Sequence, residues 1–383
     1  MTFNINTNYP SIEHLRRKAK KRMPRFAYDY LTEGCNDDLN VTKNTREIRD
    51  IELMPGYLTD YHSSSLQKEL FGHVYDVPFG ITAVGLQSLM WPKTPEILAQ
   101  TSVDYNIPFM LSTVTTMSIE DAAKITNGRF WFQLYYPKEQ ATREDILKRA
   151  HDNGAEVLVL LSDVPTFGYR PRDIYNGLGM PPKMMLRNII NCCFKPQWAL
   201  ETLQNGGMPR FKTLEKYMPG GMDLRQLGLF MDDFFDGKLT VERIKGIQDI
   251  WPGKIVIKGI ASVQDAQTAV DLGVDGIIVS NHGGRQLDAG PTTIKTLKPI
   301  VDVCKDKLTI MMDSGMRNGP DIARVIASGA DFVFMGRPFM YGTGALGKKG
   351  GDQAAAILKR EFQQVMEQLN CERVEDLPKF LMK

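Results

Sequence analysis

Long hydrophobic runs are missing from this chain. No stretch reaches the ~18 consecutive apolar residues of a bilayer-spanning helix, so the sequence predicts no transmembrane segment. A leader core is missing too. The N-terminal basic run (Arg16, Arg17, Lys18, Lys20, Lys21, Arg22) has no apolar h-region beside it, which predicts a cytoplasmic protein without a secretory signal. Charge of one sign is not in excess: 47 Lys and Arg face 45 Asp and Glu, for a net charge of +2, and nothing favours nucleic acid as a partner. The five cysteines, Cys35, Cys192, Cys193, Cys304 and Cys371, show neither C-x-x-C spacing nor a neighbouring His cluster. That pattern predicts reduced thiols and no metal site. No G-x-G-x-x-G follows an apolar run, which counts against a dinucleotide-binding open sheet.

What is present is a rhythm. Eight short apolar runs occur at Val77–Thr82, Pro108–Ser112, Arg129–Tyr135, Ala155–Asp163, Lys254–Gly259, Asp275–Asn281, Leu308–Ser314 and Asp331–Gly336. They are continuously apolar rather than alternating, as parallel strands buried on both faces are. Amphipathic segments lie between them. Ser118-Ile-Glu-Asp121 fits a capping box, and Gly273 and Gly329 follow helical patterns as C′ residues. Strand–helix alternation with short connections predicts α/β architecture, a closed (β/α)8 TIM barrel forming a single domain over 1–383. One connection breaks the rhythm. Residues 181–236, after the fourth strand, form an insertion rich in Met, Phe and basic residues, including Lys183, Arg187, Lys195 and Trp198.

Barrel chemistry sits at the C-terminal strand ends. Those ends read Ala83-Val84-Gly85, Ser112, Gln133 with Tyr135, Asp163, Lys258, Ser280-Asn281-His282, Asp313-Ser314-Gly315, and Gly336-Arg337. So many polar groups in register predict a site. Arg285 lies on the same loop as His282, and Arg170 follows the fourth strand, so two guanidinium forks can meet one carboxylate.

The segment Ser280-Asn-His-Gly-Gly-Arg-Gln-Leu-Asp288 carries a resemblance. It is similar, position by position, to the signature of the FMN-dependent L-2-hydroxy acid dehydrogenase/oxidase family. The likeness extends through Tyr28-Asp-Tyr30, Phe132-Gln-Leu-Tyr135, Ile257-Lys-Gly259, Asp313-Ser-Gly-Met-Arg317 and Met335-Gly-Arg-Pro338. Trp91-Pro-Lys93, Met117-Ser-Ile-Glu-Asp121 and Pro196-Gln-Trp198 bring it nearest the membrane-associated mandelate- and lactate-oxidising members.

The resemblance implies FMN as cofactor and a 2-hydroxy acid oxidised to its 2-keto acid. It makes His282 the base, Asp163 the partner of its imidazolium, and Tyr135 the contact to the substrate hydroxyl. Arg285, Arg170 and Tyr30 would hold the carboxylate. Lys258 would supply positive charge near the flavin N1 and C2 carbonyl. Gly315, Arg317, Gly336 and Arg337 would bind the phosphate, and Asp313 the ribityl chain. Ser112, Gln133, Ser280, Ser314 and the Ala83–Gly85 backbone complete the cofactor set. It also implies a homotetramer.

Two positions depart from the family. Ala83 stands where Pro is usual, and Leu161 stands where a Thr hydroxyl is usual, which bears on the flavin environment. Composition of the insertion predicts an interfacial segment, and the likeness to membrane-associated members implies the inner membrane's cytoplasmic face and a quinone as electron acceptor. A soluble, oxygen-using oxidase with the insertion as a lid is the rival expectation. Another FMN barrel class, or a degenerate flavin-binding or membrane-adaptor protein, fits parts of the sequence. Val114 and the Met-rich insertion leave room for a bulky substrate, with lactate equally open.

Overall fold

The protein is described by a computed structural model covering residues 5–179, 182–183, 185–220 and 224–382. Pro181 and Met184 of the insertion lie outside the described residues. The eight predicted strands all form: β1 (Phe79–Ile81), β2 (Met110–Ser112), β3 (Phe130–Leu134), β4 (Ala155–Leu161), β5 (Lys254–Ile260), β6 (Gly276–Val279), β7 (Thr309–Met312) and β8 (Phe332–Met335). They are parallel and pair in the order β1-β8-β7-β6-β5-β4-β3-β2. The β1–β2 seam is closed by one parallel bridge, Ile81 to Phe109, with the Ile81 amide donating to the Pro108 carbonyl at 2.9 Å. The result is a (β/α)8 barrel.

Continuous apolar strands follow from the two cores that this barrel has. Alternate residues point inward, where Met110, Trp131, Val157, Val159, Val256, Ile278, Met311, Phe332 and Phe334 fill the interior. Their neighbours point outward, where Phe132, Leu158, Leu160, Ile257, Ile277, Ile310 and Val333 pack under the helices. A short antiparallel hairpin, Lys68–Leu70 with His73–Tyr75, closes the N-terminal end. Phe71 meets Trp131 there at 5.6 Å between ring centroids, and Tyr75 meets Phe332 at 5.9 Å.

Local signals act as read. Ser118 Oγ accepts from the Asp121 amide at 3.0 Å, and Gly273 and Gly329 take positive φ just past their helices. Helix α1 (Arg25–Thr32) brings Tyr30 over the barrel mouth. A short helix, α2 (Pro171–Tyr175), precedes the insertion, which carries helices itself: α3 (Leu186–Cys193), α4 (Pro196–Gln204) and α5 (Leu224–Phe234). The insertion is pinned to the barrel. Trp198 is buried edge-on against Phe26, and its indole N–H donates to the Met90 carbonyl at 3.1 Å. Thr213 Oγ1 donates to the Met117 carbonyl. The chain returns beside β3, where Asp236 N–H meets the Tyr136 carbonyl at 2.9 Å. The last two barrel helices, α6 (Arg337–Leu346) and α7 (Gly350–Leu369), cross at backbone contact. Among the described residues, no helix is long and apolar enough to cross a membrane.

Candidate active site

The C-terminal strand ends open into one cavity of about 800 Å³. Of the predicted residues, Tyr30, Ala83, Val84, Gly85, Gln133, Tyr135, Arg170, Lys258, His282, Arg285, Asp313, Ser314, Gly315, Arg317, Gly336 and Arg337 line it. Ser112, Asp163 and Ser280 stand one layer back. Ser112 Oγ accepts from the Val114 amide at 3.3 Å. Ser280 Oγ accepts from Lys258 Nζ at 3.0 Å and from the His282 amide at 3.1 Å.

His282 sits on the loop after β6 with φ +58°, a backbone state that non-glycine residues seldom adopt. Its Nδ1 is 3.1 Å from Asp163 Oδ1. With Asp163 ionised, Nδ1 carries the proton and Nε2 keeps its lone pair. Burial, reinforced by the Lys258 and Arg170 charges, outweighs Asp163 and lowers the His282 pKa below its ordinary value. For Asp163, burial is overcome by His282 and Lys258, which hold its carboxyl below the usual range. The dyad is therefore a neutral imidazole over a carboxylate. Asp163 can approach this closely because Gly259, at φ +103°, has no Cβ; one there would lie 2.6 Å from the Asp163 Cβ.

Lys258 lies in the C-terminal half of β5 with a side chain 4% exposed, 3.1 Å from Asp313 Oδ2. Burial opposes its charge, but Asp313 and Asp163 hold its pKa above the ordinary lysine value. Its ammonium is fixed under the cavity floor. Burial, then the charge of Asp163, pushes the Tyr135 phenol well up, so it remains protonated. Burial does the same for Tyr30.

Arg285 Nη1 donates to the Tyr30 carbonyl at 2.7 Å and to the Glu33 carbonyl at 2.8 Å, and its guanidinium lies over the Tyr30 ring at 5.0 Å. Arg170 Nη2 donates to Gln286 Oε1 at 3.3 Å, while its buried Nε has no partner. Two guanidinium groups thus face one cavity, with a donor to spare.

The cavity suits FMN. Arg317 and Arg337 line it, and among the described residues neither makes a salt bridge. Burial, then the neighbouring Arg317 charge, brings the Arg337 pKa down to about 9. Burial lowers that of Arg317 as well. A buried cation depressed by a second one beside it is a place made for an anion. The first turn of α6 and the Gly315 backbone, at φ +95°, supply amides beside them. The Gln133 Oε1 and Thr82 Oγ1 atoms are buried without partners and point to a polar guest. Arg337 does more than face an anion: its side chain donates to the carbonyls of Leu31, Gly283 and Glu33.

Sequence reasoning passed over Asp173 and Thr82, and the apolar wall made by Leu178 with Phe211 and Met231 of the insertion; it also passed over Glu33, which supports Asp173 from behind. Asp173 had a signal, since it follows Arg170 by one helical turn. Phe211 and Met231 had none, because only the folded insertion carries them inward.

A barrel with a buried cation at the fifth strand, a phosphate-type pocket at the seventh and eighth, and a His–Asp dyad beside paired arginines defines a flavin-dependent oxidoreductase. Residues 19–383 match the FMN-dependent dehydrogenase family, and the chain belongs to it. It is similar to (S)-mandelate dehydrogenase of Pseudomonas putida, 33% identical over 97% of this chain and 93% of that protein. It is 34% identical to L-lactate dehydrogenase of Pseudomonas syringae pv. syringae over 96% of each chain. Among solved structures, that of the monotopic membrane protein (S)-mandelate dehydrogenase superposes with a TM-score of 0.92, at 33% identity, over 98% of this chain and 100% of the other. A mandelate oxidase matches with a TM-score of 0.83 at 28% identity, over 98% of each. The chain is an FMN-dependent oxidoreductase acting on the CH–OH group of L-2-hydroxy acids.

Proposed function

We propose that this site oxidises an L-2-hydroxy acid with a bulky apolar side chain, and that electrons leave to a membrane quinone. The observation that carries the chemistry is His282 Nδ1 at 3.1 Å from Asp163 Oδ1, with the imidazole set in the same cavity as Arg285 and Arg170. The two arginines bind the substrate carboxylate, with Tyr30 alongside. Tyr135, held protonated, donates to the substrate oxygen. Nε2 of His282 takes the proton, and Asp163 stabilises the imidazolium that forms. Gly315, Arg317, and the Gly336 and Arg337 amides hold the FMN phosphate. Asp313 and Ser314 hold the ribityl chain, and Gln133 with Ala83–Gly85 lines the ring. Bound FMN supplies the two-electron acceptor. Lys258 keeps positive charge where that acceptor gains electrons.

The side-chain end of the substrate has an apolar wall in Leu86, Val114, Leu178, Phe211 and Met231. That supports a bulky group over lactate. Anaerobic bleaching of the yellow protein with lactate, mandelate, glycolate and 2-hydroxyoctanoate tests both parts. No bleaching with any of them overturns the reading, and fastest bleaching with lactate or glycolate overturns the bulky-substrate preference.

Helix α3 supports attachment to a membrane surface. None of its residues is buried, yet Leu186, Ile189 and Ile190 share one face, continued by Phe194, Leu200 and Leu203. Leu186 is 72% and Phe194 76% exposed. Arg187 and Lys195 flank them, the make-up of an interfacial helix. Protein found wholly in the high-speed supernatant at low salt would overturn attachment, and turnover faster with oxygen than with a soluble quinone would overturn the acceptor.

A further inference from the structure

We propose that Asp173 is a positioning residue for this reaction: a buried carboxylate that sets the spacing of the substrate-binding arginines while leaving their N–H donors free. This rests on the arginine clamp proposed above.

The geometry is symmetric. Asp173 Oδ2 is 3.9 Å from Arg285 Nη2 and 3.9 Å from Arg170 Nη1. The side chain is 7% exposed, and its other oxygen, Oδ1, is buried with no hydrogen-bond partner. At that separation the carboxylate attracts both guanidinium groups without forming a short hydrogen bond to either. A closer pair would use up donors that the substrate carboxylate requires. With no carboxylate there, two buried cations would repel across an empty cavity.

The backbone under Asp173 is built for this placement. Asp173 lies in the first turn of α2, three residues past Arg170, the extended residue that caps this helix, so one short segment carries both side chains. The Glu33 carboxylate accepts from the Arg172 and Asp173 amides, and so fixes the start of α2 against the segment after α1. The Glu33 carbonyl accepts from Arg285. One residue therefore ties the Asp173 helix and the Arg285 side chain to the same piece of chain. Substrate would enter a clamp already spaced, but one partly neutralised by Asp173. That arrangement weakens indiscriminate anion binding and favours a carboxylate which reaches the free donors, including Arg170 Nε.

The test uses the FMN-loaded protein and oxalate as an unreactive carboxylate probe, with affinity read by calorimetry. Asp173→Asn keeps the shape and removes the charge. Oxalate is expected to bind at least about threefold tighter, while kcat with the best substrate falls at least about tenfold and KM does not rise. A merely structural role would weaken oxalate and raise KM instead. Asp173→Glu, which restores the charge one methylene away, is expected to return oxalate affinity to within about twofold of wild type and recover part of kcat. FMN content and melting temperature are measured for both variants. Oxalate affinity unchanged or weaker in Asp173→Asn, or Asp173→Glu no better than Asp173→Asn, overturns the proposal. If Asp173→Asn does not fold, Asp173→Glu decides alone, and a kcat equal to wild type overturns the idea. Arg170→Lys separates the two readings: oxalate affinity unmoved there means that the clamp itself is wrong, whatever Asp173 does.

Discussion

Arg285 and Arg337 donate to the same oxygen, the Glu33 carbonyl, at 2.8 and 3.1 Å. Arg285 comes from the loop after the sixth strand and Arg337 from the start of α6 after the eighth. Between them they hold the segment that follows α1, and with it Tyr30. Carbonyls just past a helix C-terminus are short of donors, so two guanidinium groups satisfy them while reaching into the cavity.

Arg285→Lys is therefore expected to raise KM and lower kcat together. Lysine keeps the charge but loses the fork that joins the Tyr30 and Glu33 carbonyls to the substrate site. Steady-state kinetics with the preferred substrate check this. Values near wild type would move the carboxylate site elsewhere.

His282→Gln is expected to retain FMN and lose flavin reduction. A placed general base contributes roughly 10²–10⁴-fold. Arg337 meets this loop through the Gly283 carbonyl, a backbone atom that the substitution leaves in place, so cofactor content should hold. Anaerobic stopped-flow reduction within about tenfold of wild type would show another base at work.

The pH profile follows from the same residue. The base must be neutral, and burial places the His282 pKa below its ordinary value of 6.5. Activity should thus be present at and above neutral pH and be lost as pH falls through a value under 6.5. Tyr135 and Lys258, both raised, stay protonated across that range. An acidic limb in kcat/KM centred above pH 7 would contradict this electrostatic picture.

Gly350→Ala probes the scaffold. A Cβ at Gly350 would lie 2.0 Å from the Gly342 carbonyl oxygen, a backbone atom that cannot turn aside. Overpacking of this kind costs about 1–3 kcal/mol or more. The melting temperature should fall measurably, with the α6 amides of the phosphate pocket disturbed and FMN more readily lost. An unchanged melting temperature would mean that the two helices separate freely.

Replacing Leu186, Ile189, Ile190 and Phe194 together by Ser should release the protein from membranes without loss of flavin reduction. These side chains are turned from the cavity. Fractionation and bleaching read the two halves separately. Retention on the membrane would move the contact to another surface.

The barrel was legible because its signals are local. Continuous apolar strands, a capping Ser118 and C′ glycines at 273 and 329 act within a few residues of themselves. The polar strand ends were legible for a related reason: a parallel barrel puts every C-terminal end on one face, so Lys258, His282, Asp313 and Arg337 are co-located by topology alone. The hairpin at Lys68–Tyr75 escaped notice because each strand has three residues, too few to show a period.

What the sequence determined by itself is therefore the barrel, its eight strands and the polar strand ends gathered on one face, while the flavin chemistry followed from the family resemblance. What only the tertiary structure decided are distances and environments. Ser112, Asp163 and Ser280 support the cavity from behind rather than lining it. The insertion turns Phe211 and Met231 inward and Leu186 and Phe194 outward. Asp173 stands evenly between two arginines that lie far apart in the chain. Periodicity reports which face a residue takes on its own element. Spacing between elements, and the burial that sets a histidine's charge, arise only when distant segments pack together.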